Sequence, residues 1–127
     1  MRGIDLFVVM ARQWRLVIPI EIANKDPGLL IRLFELGQRA DGISQTDLVR
    51  ELGLNESHLS KLTGKLLKLK LISVTMPTAD RRFRLLKTTA KAQLLLADLE
   101  MAILPLLPTE VADPFIANYN SSLPGNF

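Results

Sequence analysis

The chain contains no cysteine and a single histidine in 127 residues. The first absence excludes disulfides, thiolate metal sites and thiol redox sensing, and fits a reducing compartment. The second excludes a histidine-rich metal site, because His58 has no second His or Cys with which to share an ion. No uncharged span of membrane-crossing length occurs. Ile4 to Met10 is apolar, but Asp5 interrupts it, Arg12 and Arg15 follow, and no small-residue cleavage site comes after it. A cytoplasmic location is therefore expected. Gly-rich phosphate loops, Ser/His/Asp sets, repeats and low-complexity tracts are also missing. The acids Glu35, Asp41, Asp47 and Glu51 are scattered over caps and solvent faces, so no paired-carboxylate site is read. No catalytic residue, metal or cofactor is expected, and no enzyme.

What is present is an apolar chain with one basic region. Hydrophobic residues make up 48% and charged residues 23%, and this length suits one domain over 1–127 with a real core. So much apolar content in a small chain leaves surface for a partner subunit. Between Ser57 and Lys91, nine of the 16 Lys and Arg residues face one acid, Asp80, giving that segment a formal +8. The rest of the chain is net acidic. A basic stretch in an otherwise acidic chain points to a polyanion.

Periodicity divides the chain. Leu6, Val9, Met10, Gln13, Trp14 and Val17 recur at helical spacing over 4–18, and Pro19 should end or kink that helix. Ile4, Phe7, Val8 and Ile18 make it apolar nearly all round, which implies burial on more than one side. Residues 4–23 are taken as an N-terminal helix for dimerisation, with Leu6, Val9, Met10, Trp14 and Val17 as its contacts. Asp26 and Pro27 suit the cap and first turn of the next helix, which carries Leu29, Leu30, Leu33, Phe34 and Leu36 and fades near Gly37.

Ser44, three residues before Asp47, reads as a capping-box-like start for a short helix over Thr46 to Leu52, stopped at Gly53. Asn55 can cap a helix running to about Lys70, with Leu59, Leu62, Leu66 and Leu69 in one stripe. Two short helices separated by Gly53-Leu54-Asn55 form a helix-turn-helix unit. Ile72 to Met76 alternates and is β-branched, so it reads as a strand. Pro77 to Arg81 is a turn, and Phe83 to Thr88 is the return strand. Thr89 can cap a final helix, ended by Pro105 and Pro108, with Leu95 and Leu99 as further dimer contacts. The expected fold is mainly α with a small β-hairpin wing, a winged helix-turn-helix over 28–88. The C-terminal helix spans 89–107, and 108–127 form an irregular tail.

The basic residues fall into two local settings. Ser57, Lys61, Lys65 and Lys68 lie within about 80° of one another on a helical wheel, opposite the leucine stripe. Ser57, His58 and Ser60 can hydrogen-bond base edges, and Lys61 and Lys65 can reach guanine or phosphate. Gly64 on this face permits a close approach of backbone to sugar. Arg81, Arg82 and Arg84 lie at the tip and return strand of the hairpin, where an arginine can enter a narrow minor groove. Asp80 is read as bracing one of them through a charge-assisted bond. Many solvated helix faces are basic, and Trp14 is read first as core and dimer packing, with a ligand-pocket wall as the second reading. The sequence of short helix, basic helix and basic hairpin is what selects DNA.

Residues 43–96 resemble the MarR family of bacterial transcriptional regulators. Ile43-Ser44-Gln45-Thr46-Asp47-Leu48-Val49 is similar to that family's supporting helix, and Asn55-Glu56-Ser57-His58-Leu59-Ser60-Lys61-Leu62 to the opening of its recognition helix. Pro77-Thr78-Ala79-Asp80-Arg81-Arg82 resembles its wing tip, and Thr88-Thr89-Ala90-Lys91-Ala92 its closing segment. The resemblance implies a homodimer joined by the first and last helices, bound to double-stranded DNA at a pseudo-palindromic site. It also implies repression relieved by a small-molecule effector. It adds Gln45, Thr46 and Asn55 to the DNA-contacting set, beside Lys68. Lys70 stands where the family usually has Gly, so the recognition helix should end without a glycine cap. Two other readings of the same residues are a winged-helix module that binds an acidic protein and a mobile-element control protein.

Overall fold

The computed structural model describes residues 2–77, 79–80 and 83–106. The chain divides into two units, Lys25–Ala92 and a second made of 1–24 with 93–127.

In the unit Lys25–Ala92, helix α2 (Pro27–Leu36) starts as its sequence dictates. The Asp26 carboxylate accepts from the Gly28 amide at 3.0 Å, and Pro27 fills a first-turn position that needs no N–H. Leu30, Leu33, Phe34 and Leu36 are buried. The chain turns at Gly42, whose φ of +77° and close contact with the Leu86 carbonyl leave no place for a side chain. Strand β1 (Ile43–Ser44) follows, then α3 (Gln45–Leu52), α4 (Glu56–Lys68), β2 (Ile72–Thr75), β3 (Leu85–Thr88) and α5 (Ala90–Ile103), which leaves this unit after Ala92.

The sheet is antiparallel in the order β1-β3-β2, with Ile43 opposite Leu86 and Val74 also opposite Leu86. Strand β1 went unread in the sequence, where a two-residue run carries no periodicity. The hairpin strands are also shorter than their sequence patterns: β2 stops at Thr75, and β3 begins at Leu85 rather than Phe83. Leu48, Leu59, Leu62, Leu66, Leu71, Ile72 and Leu86 complete the core beneath them.

The ends of the elements account for most of their boundaries. Ser44 caps α3 by accepting from the Asp47 amide at 3.1 Å. The reciprocal half of the expected capping box is replaced: the Asp47 carboxylate lies 2.7 Å from Arg50, one turn further on. Gly53 closes α3 in the left-handed conformation, with φ +66°. Thr89 caps α5 by accepting from the Ala92 amide at 3.3 Å, and its hydroxyl donates to the Lys70 carbonyl at 2.8 Å.

In the other unit, α1 runs Gly3–Val17. Ile18 is extended (φ −80°, ψ 138°), as a residue before proline prefers, so the helix stops there and 19–24 form turns rather than continuing to 23. Trp14, Ile18 and Ile22 are buried, and the Trp14 indole N–H donates to the Ala23 carbonyl at 3.1 Å. That bond holds the turn against its own helix. Helix α5 ends in a short 3-10 turn, Leu104–Leu106, at Pro105.

Candidate nucleic-acid interface

Helix α4 has two faces of opposite chemistry. Leu59, Leu62 and Leu66 are buried, each contributing about 1.5–3 kcal/mol of transfer free energy, and this fixes which way the helix can turn. The other face therefore has to carry Ser57, His58, Ser60, Lys61, Gly64, Lys65 and Lys68, and all seven are exposed. The lysines form no ion pair among the described residues. Asn55 sits at the head of the helix, where its side-chain oxygen accepts from the His58 amide at 2.7 Å. That oxygen is spent on capping, while Thr46, at the start of α3, is exposed.

The far end of α4 shows what replaces the missing glycine. Lys70 adopts φ +60°, the left-handed conformation that glycine would take at no cost. The Lys70 amide bonds the Leu67 carbonyl at 3.0 Å and the Leu71 amide bonds Leu66 at 2.9 Å, the paired closure of a Schellman motif. Leu66 and Leu71, both fully buried, supply its hydrophobic contact. The expectation of a helix ending without a glycine cap holds for the residue type, but the backbone shape is retained. Lys91 adds a third tie, its ammonium 2.7 Å from the Leu69 carbonyl. These bonds set where β2 leaves α4, and so where the hairpin begins.

Gln45 joins three parts of the site. Its backbone N–H donates to the Arg84 carbonyl at 3.3 Å, and its side-chain amide donates to the Ser60 hydroxyl, also at 3.3 Å. Arg84 is half-buried, and its Nε is shielded from solvent with no partner among the described residues. It closes the connection between β2 and β3, immediately before β3 begins at Leu85. The Asp80 carbonyl accepts from the Phe83 amide at 3.0 Å. Arg81 and Arg82 lie outside the described residues, and with them the arginine-bracing role read for Asp80.

The residues nominated for dimerisation are largely used within their own chain. Trp14 (6% exposed) and Leu99 are buried, and Leu6, Val9, Met10, Val17 and Leu95 are half-buried. The apolar side chains left in solvent are others: Ile4, Phe7 (71%), Val8 and Leu16 (73%) on α1, and Leu94 and Met101 on α5. Ile4, Phe7 and Val8 belong to the all-round apolar helix expected from the sequence, where periodicity could not rank one face above another. An open cleft of about 330 Å³ is bounded by Arg15, Ile20, Ala23 and Asn24, without Trp14. Among the described residues no acidic or histidine cluster could hold a metal ion, and no helix is long and apolar enough to cross a membrane.

No protein-family model matches this chain, and no curated protein does. Solved structures are similar to it. A mutant of S. aureus MepR bound to an oligodeoxyribonucleotide superposes with a TM-score of 0.59 at 20% identity, over 90% of this chain and 84% of that one. CouR from Rhodococcus jostii RHA1, a transcriptional repressor bound to a 23-mer DNA duplex, gives 0.58 at 19% identity, over 91% and 82%. A MarR-family transcriptional regulator from Rhodococcus sp. RHA1 gives 0.53 at 16% identity, over 94% and 85%. The chain has the winged-helix fold of the MarR-family regulators. In that fold α3 and α4 are the helix-turn-helix pair and β2–β3 the wing, with the third strand, β1, pairing with β3 just before α3.

Proposed function

We propose that this protein is a MarR-family transcriptional regulator that binds double-stranded DNA at specific sites as a homodimer. Helix α4 enters the major groove, and the β2–β3 hairpin rests on the adjacent minor groove or backbone. The observation that carries this reading is the exposed face of α4. Three lysines without ion-pair partners among the described residues stand beside short hydroxyl and imidazole side chains, on a helix that its buried leucines hold in one orientation. Lysines neutralise phosphate, and the short polar groups are of a size to read base edges. The MepR and CouR structures, both with DNA, support the same use of the fold.

The homodimer is supported by the exposed Ile4, Phe7, Val8 and Leu16 of α1, apolar area that a second copy would remove from water. Repression follows if the dimer occludes a promoter. Relief by a small-molecule effector belongs to the proposal as part of the MarR resemblance, and the chemistry of that effector is left open.

Selection of bound sequences from random DNA tests the proposal. A palindromic site preferred over random sequence by at least ~10³ is expected, with log K falling against log salt at a slope of about −5 to −9. Binding indifferent to sequence, or a salt slope near zero, would overturn it in favour of a module that binds an acidic protein.

A further inference from the structure

We propose that Gln45 is a positioning residue that fixes the hydrogen-bond polarity of Ser60, so that the Ser60 hydroxyl meets DNA as a donor. The inference rests on the DNA-reading role proposed for α4.

A serine hydroxyl carries one proton and two lone pairs, so on its own it can face a base in either sense. Here one of the two lone pairs is committed, so the hydroxyl turns its proton and a single lone pair towards solvent. The Gln45 Nε2 group has only protons to offer, and it donates to Ser60 Oγ at 3.3 Å. The Ser60 proton has no acceptor among the described residues, and the side chain lies on the exposed face of α4 beside Lys61. Accepting one hydrogen bond makes a hydroxyl a better donor of the next, since each bond in a chain polarises its neighbour.

Gln45 is suited to hold this geometry. It is the first residue of α3, it is half-buried, and its backbone N–H is fastened to the Arg84 carbonyl just before β3 of the wing. The side chain therefore starts from a backbone fixed at two ends. On the Ser60 side, Thr63 donates to the Ser60 carbonyl at 3.2 Å within α4, while being buried itself.

A donor at this position discriminates among bases. In the major groove guanine offers N7 and O6, adenine N7 and thymine O4 as acceptors, whereas cytosine offers only its N4 donor. The base facing Ser60 should then be any of the first three, with cytosine disfavoured. Lys61, one residue along, can neutralise phosphate without regard to sequence, so the discrimination is separable from affinity.

Sequence selection from random DNA with the full-length protein and its variants tests this. The unaltered protein should disfavour cytosine at one position by roughly tenfold, the scale of one base-edge contact. Ser60→Ala and Gln45→Ala should each relax that same position, and the double variant should relax it no further. Gln45→Glu offers a carboxylate that accepts a hydrogen bond from the Ser60 hydroxyl and leaves the serine lone pairs facing outward, so preference there should move towards cytosine, whatever happens to overall affinity. Gln45→Met, of similar length, should behave as Gln45→Ala, and thermal melting should show all variants folded. If the Gln45 variants leave that position unchanged, or the Gln45 and Ser60 changes relax different positions, the inference is overturned while the proposed function stands. If the unaltered protein selects no site, both fall.

Discussion

The Thr88 hydroxyl donates a 2.6 Å hydrogen bond to the carbonyl of Phe34, 54 residues earlier in the chain. Phe34 is in the last turn of α2, where carbonyls have no partner within the helix, and Thr88 is the last residue of β3. The Thr88 amide adds a second bond, to the Gly37 carbonyl at 2.9 Å. Gly37 is small for this reason: a Cβ there would collide with the Thr88 hydroxyl.

Thr88→Val should therefore destabilise the protein by about 1–3 kcal/mol, because it leaves a buried carbonyl unsatisfied without changing volume. Thr88→Ser, which keeps the hydroxyl, should cost under about 1.5 kcal/mol. Urea unfolding midpoints at constant m would show the difference.

Lys70→Gly should raise stability by about 0.5–1 kcal/mol, since glycine adopts the left-handed backbone at the end of α4 without steric cost. Lys70→Val should lower it, a β-branched side chain being the least tolerant of positive φ. Both effects would appear in the same unfolding experiment, with DNA specificity unaltered.

Lys61→Ala and Lys65→Ala should each weaken DNA binding at every sequence and reduce the salt slope by about 1 for each phosphate no longer neutralised. Neither should lower the melting temperature, since both side chains are exposed and form no ion pair among the described residues. A slope unchanged by either variant would remove α4 from the interface.

Phe7→Glu should shift sedimentation from dimer towards monomer and leave the monomer's fold intact, because Phe7 is 71% exposed in the single chain. Trp14→Phe should instead lower stability and leave sedimentation unchanged. It loses the bond to the Ala23 carbonyl, at a cost of roughly 1 kcal/mol or more, without acting on assembly directly.

Much of this architecture was legible in the residues because it is set by local rules. Asp26-Pro27, Ser44, Gly53, Asn55 and Thr89 all stand at the helix ends that their side chains announce. The leucine stripe of α4 told which face must be buried, and so which lysines must be free. What escaped was set by contacts distant in sequence. A two-residue strand has no pattern of its own and exists because Leu85 and Leu86 pair with it. The bond between Gln45 and Ser60 spans two helices whose docking no periodicity encodes. On α1, apolar residues on every side concealed which would be covered: within the chain Trp14 is buried and Leu6 half-buried, while Phe7 and Leu16 stay exposed.

The segment from Ile43 to Gln45 has no slack. Ile43 and Ser44 are in register with Leu86 and Leu85, Ser44 also caps α3, and Gln45 is already its first residue. A residue inserted here would turn Ile43 or Ser44 to the wrong side of the sheet or pull the cap off the helix. The loop just before it, at Arg39 to Asp41, is exposed and carries neither duty. Length variation among relatives of this protein should therefore gather before Gly42 and be absent from the three residues after it.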